Sequence, residues 1–442
     1  MHNATAARLR DRFPFSKALC AAALSASFAL GAHAALAAPM PGQIVADPAN
    51  PAWFKYEGGG PFFLASPGDP EDFLYRGSRN GDGTRDGDQD AIIARLAPTG
   101  ANGIYMQIIR SNGGDGNSTH NPFIDNDPTK GLNNAILDQW DTWFTAMDNA
   151  GIVIYLFFYD DSASIWSTGD SVGTAERDFV EQIVNRFEGY KHLIWVVAEE
   201  YQERFTAARA SNIASVIRNA DDHDHPIGVH KLNGLTFDDF DNDPNVEQFA
   251  MQYNVTSPSQ IHTGMVSAWN SANGQYNLNM SEATSWGTGS AARRKAWAAA
   301  MGGAYVMGLG MDIINTPISD LEDLGRLRNF MESTRFDLMS PRDDLAHADT
   351  DWVLAEPGTR YIAYSESAGS QLGVKNLPAG SFELRWMDTA TGATETQASV
   401  AVTAGNNSFN KPAGFGNEVV LSLELNGAAD PAPMPPQNVT AD

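Results

Sequence analysis

From residue 60 onward, short runs of consecutive apolar residues alternate with longer stretches in which apolar residues recur every three or four positions. The unbroken runs cover 61–65, 103–109, 152–159, 192–198, 226–230, 248–252, 276–280 and 304–310. They lack polar alternation, the pattern of strands covered on both faces. The stretches at 88–96, 134–150, 175–187, 207–220, 256–270 and 291–301 have helical spacing. Eight buried strands interleaved with helices predict a (β/α)8 barrel, an α/β fold. Near residue 339 the helical spacing stops. Short strand-like runs at 352–355, 361–364, 371–374, 382–386, 398–402 and 419–425 are separated by Gly, Pro, Asn and Asp. They predict a small antiparallel β-sandwich.

The first 38 residues stand apart. Arg8, Arg10, Arg12 and Lys17 precede an Ala-rich apolar run, and Ala35-Leu36-Ala37 fits a cleavage site. This pattern predicts a secretory signal peptide and a secreted or periplasmic protein, with no membrane insertion of the mature form. The expected organisation is 1–38 signal peptide, 39–338 barrel, 339–426 sandwich and 427–442 linker or tail. The single cysteine, Cys20, lies in the signal segment. Thiol nucleophiles, thiolate metal sites and disulfides are therefore excluded downstream of it. The formal charge of −25 argues against nucleic acid as a partner.

The run at 192–198 ends abruptly in Glu199 and Glu200, and the run at 276–280 leads directly to Ser281 and Glu282. Carboxylates are costly inside a core, so each pair of strand and acid marks an emergence into solvent or a cleft. In a barrel these would be strands four and seven, whose C-terminal ends face each other across the mouth. Two carboxylates flanking a bond are what glycoside hydrolysis requires. An ion pair with a loop cation is the alternative for Glu199 and Glu200, and a helix cap or loop carboxylate for Glu282; their joint position at two strand ends disfavours both alternatives together. Adjacent residues of a strand point to opposite faces, so only one of the first two acids can share a target with Glu282.

Further residues at strand ends are suited to sugars. Tyr159, Tyr201, Tyr253 and Trp286 are expected as stacking platforms, with core packing as the alternative. Asp160, His230 and Gln252 are expected to bond hydroxyls, and Arg110 to meet an acidic sugar. Asp82, Asp86 and Asp88 in the sequence NGDGTRDGDQD suit a calcium loop, or simply a turn leading into a helix. The segment DDHDH at 221–225 is expected as an exposed loop rather than a metal site. No metal and no cofactor are expected.

The chain also resembles the apiosidase-like and cellulase-like glycoside hydrolases. The resemblance runs through Gly60-Pro61-Phe62-Phe63-Leu64, Ile194-Trp195 to Glu200-Tyr201, His225 to His230, Gln248 to Tyr253, Glu282, and Arg293 to Trp297 with Gly302-Gly303-Ala304. It continues through Leu354 to Tyr364 and Leu384 to Asp388. The resemblance implies a retaining (β/α)8 hydrolase followed by a β-sandwich of the type labelled collagen-binding. It implies Glu200 as acid/base and Glu282 as nucleophile, with a poly- or oligosaccharide as substrate. Glu199 falls where Asn, Gly or Asp is expected. A carbohydrate-binding protein without turnover and a polysaccharide lyase remain the competing functions.

Overall fold

The computed structural model describes residues 38–429 except Asn233, Asn242, Thr284 and Ser285. The predicted signal segment up to residue 37 and the tail from residue 430 lie outside the described residues. Eight parallel strands form the barrel: β1 (Ala65–Asp69), β2 (Gly103–Ile109), β3 (Val153–Tyr159), β4 (Leu193–Ala198), β5 (Ile227–Lys231), β6 (Gln248–Gln252), β7 (Asn277–Glu282) and β8 (Tyr305–Asp312). Hydrogen-bonded neighbours run in the order β1-β8-β7-β6-β5-β4-β3-β2. Every residue of β2, β3 and β4 is buried, as their unbroken apolar runs require.

Between β1 and β2 a side chain stands in for the missing ladder. The Asn102 backbone N–H donates to the Ala65 carbonyl. Its side-chain Oδ1 accepts from the Ala65 N–H, and its Nδ2 donates to the Phe63 carbonyl. Gly103 keeps the two strands close, since a Cβ there would sit 2.9 Å from the Ser66 hydroxyl.

Seven of the eight strand predictions coincide with strands to within two residues. The first is displaced: strand β1 is Ala65–Asp69, not 61–65. The reason is packing. Phe62 and Phe63 are wholly buried around Tyr305 at the N-terminal end of β8, where they help close the bottom of the barrel. The Tyr305 hydroxyl donates to the Phe62 carbonyl and accepts from Phe54, which belongs to a hairpin of Ile44–Ala46 and Phe54–Tyr56 that sequence patterning missed. Side chains as large as these serve as a plug.

The helices are α1 (Gln89–Leu96), α2 (Asn134–Asn149), α3 (Thr174–Phe187), α4 (Ala207–Ala220), α5 (Pro258–Ala272), α6 (Gly289–Met301) and α7 (Ile318–Glu332). The first six are as predicted. Helix α7 was not, although Leu321, Leu324 and Leu327 recur every three residues on its buried face. The starts are set by local chemistry: the Asn133, Thr206 and Ser257 side chains accept backbone N–H groups at the first turns of α2, α4 and α5. Among the described residues no helix is long and apolar enough to cross a membrane.

The C-terminal region holds two antiparallel sheets. Its strands are β9 (Ser340–Pro341), β10 (Ala346–Ala348), β11 (Trp352–Glu356), β12 (Arg360–Ser365), β13 (Gln371–Leu377), β14 (Gly380–Asp388), β15 (Thr394–Val402), β16 (Gly405–Asn410) and β17 (Val419–Leu425). One sheet has the order β9-β11-β12-β17-β14-β15 and the other β10-β13-β16. Val353, Tyr361, Leu372, Phe382, Trp386 and Leu421 from both sheets share one core. Alternate residues of the larger sheet, among them Trp352, Leu354, Ile362 and Tyr364, belong instead to the core of the barrel. Strands β11 and β12 of the larger sheet are thus covered on both faces, while β15 at its edge is exposed.

That junction is aromatic and ionic. Trp297 of α6 stacks on Tyr364 at 5.2 Å, Trp352 on Tyr364 at 5.4 Å, and His262 of α5 on Trp352 at 4.4 Å. Beside the stack, the buried Glu418 carboxylate accepts from Arg293 Nε at 2.8 Å, Arg294 Nε at 3.1 Å and Thr389 Oγ1 at 3.0 Å. Removing one side of a buried ion pair strands the other charge. Glu418→Ala is therefore expected to lower stability by about 3–5 kcal/mol in urea unfolding. A loss below about 1 kcal/mol would show that the junction contributes little.

Candidate active site

Strand β4 ends at Ala198, and the two acids occupy the turn beyond it. The Glu199 N–H still donates to the Tyr159 carbonyl at 2.9 Å, as in a ladder. At Glu200 the backbone changes hand, with φ 39° and ψ 49°. For a residue with a Cβ this conformation costs roughly 1–2 kcal/mol. It begins a tight turn through Tyr201–Glu203 and sends the two neighbouring carboxyl groups to different partners. The parting expected from strand pleating is real, but a left-handed turn produces it.

The Glu200 carboxyl meets Glu282 from the end of β7. Gln252, at the end of β6, donates its side-chain amide to both: to Glu200 Oε1 in a short hydrogen bond and to Glu282 Oε1 at 2.8 Å. The two carboxyl groups thus meet around one amide, and the negative charge of Glu282 bears on Glu200. So close a pair disfavours ionisation of both groups at once, and the environments decide which keeps a proton more readily. Burial, then the negative charge of Glu282, then Glu203 and Asp161, push the Glu200 pKa up to about 8. Burial also raises Glu282, but hydrogen bonds from Gln252 and Glu200 work against the rise. Near neutrality Glu200 is thus the member of the pair driven toward its protonated form.

Glu199 goes the other way. Tyr105 donates to its Oε1 at 2.7 Å and Gln107 to its Oε2 at 2.5 Å. Oxygens of Glu71, Asp160 and Glu199 lie within 4.8 Å of one another. One guanidinium serves the three: Arg110 Nη1 is 3.3 Å from Glu71, 3.5 Å from Asp160 and 2.6 Å from Gln107 Oε1. One cation cannot balance three carboxylates so close together, which favours retention of protons in the group. Burial first, then Glu71 and Asp160, hold Glu199 well above the usual carboxylate range. Burial, opposed by Arg110, pushes Glu71 up to about 7. A cleft of about 400 Å3 opens beside this group, lined by Asp69, Glu71, Asp72, Arg76, Arg110, Asp115, His120 and Asp312.

Several sequence-predicted contacts lie elsewhere. Tyr159 is 1 % exposed, and its hydroxyl donates to Glu176 of α3, itself paired with Arg209. Tyr201 is buried, with its ring against Phe240 and its hydroxyl donating to Asp239. Both lead their strand or turn into the shell of helices and loops and present no face to a sugar. Trp286 is 1 % exposed, and Gly308 of β8 lies against its indole. Tyr253 is half-buried over Gly264 of α5, where any side chain would collide with its ring. Arg110 is consumed by Glu71 and Asp160, so the free cation expected for an acidic sugar is neutralised. Asp160 lies in the Glu199 group, and Gln252 lies between the two acids. His230 accepts the Glu200 N–H through Nδ1 at 3.0 Å.

Glu71, Tyr105 and Gln107 were missed. The signal was present for two of them: Tyr105 and Gln107 are two residues apart on β2 and so share its inner face. In the proposed calcium loop each acid serves the loop itself. Asp82 accepts from Thr84, Asp86 from the Ser78 N–H, and Asp88 from Arg76. The DDHDH segment is not an exposed loop throughout. Asp221 and His225 are buried below the barrel and bonded to each other and to Trp195. Two acid groupings are close enough to hold a cation among the described residues, Glu71-Asp160-Glu199 and Asp161-Glu200-Glu203. Their oxygens already accept from Tyr105, Gln107, Arg110, Gln252 and Ser162.

Residues 90–311 match the family model described as "Apiosidase-like, catalytic domain". Among solved structures, one named "Glycoside hydrolase" aligns with a TM-score of 0.64 at 14% identity, covering 88% of this chain and 98% of its own. A glycoside hydrolase family 5 protein from Bacteroides vulgatus ATCC 8482 aligns with a TM-score of 0.63 at 14% identity, covering 87% and 94%. At such identity the likeness is one of fold. No curated protein matches the chain.

The buried acids make stability depend on pH in a definite direction. A carboxyl whose folded pKa is raised binds its proton more tightly when folded, so its stabilising contribution is full below the unfolded pKa and is lost as pH rises through the folded value. For Glu71 that window runs from about 4.5 to about 7. Glu71→Gln is expected to raise the melting temperature relative to wild type at pH 8.5 and to change it little at pH 4. The opposite order across the two pH values would refute this account of the group.

Proposed function

Because the chain belongs to the apiosidase-like family of glycoside hydrolases, we propose that it cleaves glycosidic bonds of a poly- or oligosaccharide with retention of configuration, through Glu200 and Glu282. The supporting observation is that both carboxyl groups accept from the single side-chain amide of Gln252. Retaining enzymes need a short separation, about 5–5.5 Å, and inverting enzymes leave room for water between carboxyls roughly 6.5–9.5 Å apart. A pair linked through one nitrogen favours the short spacing.

In this reading Glu200, protonated, gives its proton to the departing glycosidic oxygen while the Glu282 carboxylate attacks the anomeric carbon. A glycosyl-enzyme ester forms and the C–O bond to the leaving group breaks. Glu200, now ionised, takes a proton from water, and the resulting hydroxide displaces Glu282 from the sugar. Gln252 keeps Glu282 oriented and lowers its basicity. The basic n-region and Ala-rich run of residues 1–38 support removal of a signal peptide and action outside the cytoplasm. The C-terminal sheets are read as a sandwich that braces α5 and α6, the helices flanking β7.

The sugar is found by screening. Apiose-bearing glycans come first because of the family's name, followed by plant, algal and microbial polysaccharides. With a cleaved substrate in hand, Glu200→Gln and Glu282→Gln are each expected to reduce kcat by about 10²–10⁴-fold. Proton NMR of the first product should give the anomer of the substrate; the opposite anomer would refute retention. The acid must be protonated to act, so activity is expected to fall as pH rises through about 8. An alkaline limb near 5 would remove Glu200 from that role.

A further inference from the structure

We propose that His230 is a positioning residue for the acid: its Nδ1 holds the Glu200 backbone in the left-handed turn that delivers the carboxyl group to Glu282. This rests on the reading of Glu200 as proton donor. His230 lies at the end of β5, wholly buried, with its ring edge-on to Tyr105 at 6.4 Å and to Phe157 at 6.2 Å. The aromatic neighbours fix the ring plane. Nδ1 accepts the Glu200 N–H at 3.0 Å, so the ring's own proton resides on Nε2, which has no hydrogen-bond partner among the described residues.

The turn needs such an acceptor. Reversing the backbone hand at Glu200 takes its N–H out of the strand ladder, and a buried N–H without a partner costs about as much as a lost hydrogen bond. An imidazole nitrogen serves where no carbonyl of β5 does. The acceptor must also stay unprotonated. Burial holds the His230 pKa down to about 3, so the imidazole is neutral wherever a glycosidase works. The titratable groups facing Glu200 are Glu282 from β7, Glu203 from its own turn and Asp161 after β3, all of them acids. A charged imidazole here would add a cation to that set and pull the Glu200 proton off. One neutral ring therefore fixes both the direction of the acid and its protonation.

The two nitrogens are separable by substitution in the full-length protein. Asn places its Oδ1 where Nδ1 was, Gln places its amide where Nε2 was, and Leu offers neither. On a glycan with a poor leaving group, His230→Asn is expected to stay within about fivefold of wild type. His230→Gln and His230→Leu should lose about 10²-fold in kcat at nearly unchanged KM, the scale of a displaced catalytic group. Their alkaline limb should move below about 8 as the freed carboxyl gains water. With a 2,4-dinitrophenyl glycoside of the same sugar, whose leaving group needs no proton, the loss in glycosylation rate should largely disappear. A merely structural residue would lower the melting temperature and move neither the limb nor the leaving-group dependence. Wild-type kcat and limb in His230→Leu, or equal rates for the Asn and Gln variants, would overturn the proposal. Glu200→Gln measured alongside separates the two levels. If it falls and His230→Leu does not, only the positioning role fails; if it keeps wild-type rate, the acid assignment fails and takes this proposal with it.

Discussion

A buried carboxyl group that finds another carboxyl instead of a cation must share a proton, and this constraint governs the upper end of the barrel. Glu200 meets Glu282, and Glu199 meets Asp160 and Glu71. The two encounters stem from consecutive residues and resolve differently. The first lies between groups of unequal environment around a single amide, so the proton resides on Glu200. The second lies around one guanidinium, and its retained protons let Glu199 accept from Tyr105 and Gln107 without adding a full charge to the interior.

The inside of the barrel extends the same theme downward. Tyr155 donates to Gln248, Gln248 to Asn277, and Asn277 to the Ala52 carbonyl in the N-terminal segment. A satisfied polar chain of this kind fixes side-chain orientation more tightly than aliphatic packing does, because each bond has a direction. It ties the plug to β3, β6 and β7, so β6 and β7, which carry Gln252 and Glu282, are anchored at the far end as well as the near one.

Much of this was legible in the residues, and the failures have physical causes. Unbroken apolar runs located strands because a strand covered on both faces has no polar position to interrupt it. The same feature misplaced β1, since Phe62 and Phe63 are as apolar as a strand and serve as a plug. Glu200 and Glu282 could be singled out because charges ending buried runs are rare. Tyr159 was expected at the mouth, yet its hydroxyl reaches Glu176 of α3, a contact separated in sequence by a loop whose course no local pattern gives. Arg110 was expected to be free because its partners, Glu71 and Asp160, come from two other strand ends. Tertiary pairing of charges is where one-dimensional reading stops. The left-handed turn at Glu200 carries no glycine to announce it.

Strands β11 and β12 of the larger C-terminal sheet have water on neither broad face, since one side packs on the smaller sheet and the other on α5 and α6. That arrangement governs how the chain can be inherited and re-engineered. A module joined by a tether can be exchanged, duplicated or lost without consequence for its neighbour. A sheet that supplies part of its neighbour's interior must be carried along, with Trp297, Tyr364 and Trp352 varying together. Recombination between distant homologues, in nature or in the laboratory, would find its tolerated crossover points in the loops at the barrel mouth, and not at the boundary between barrel and sheets.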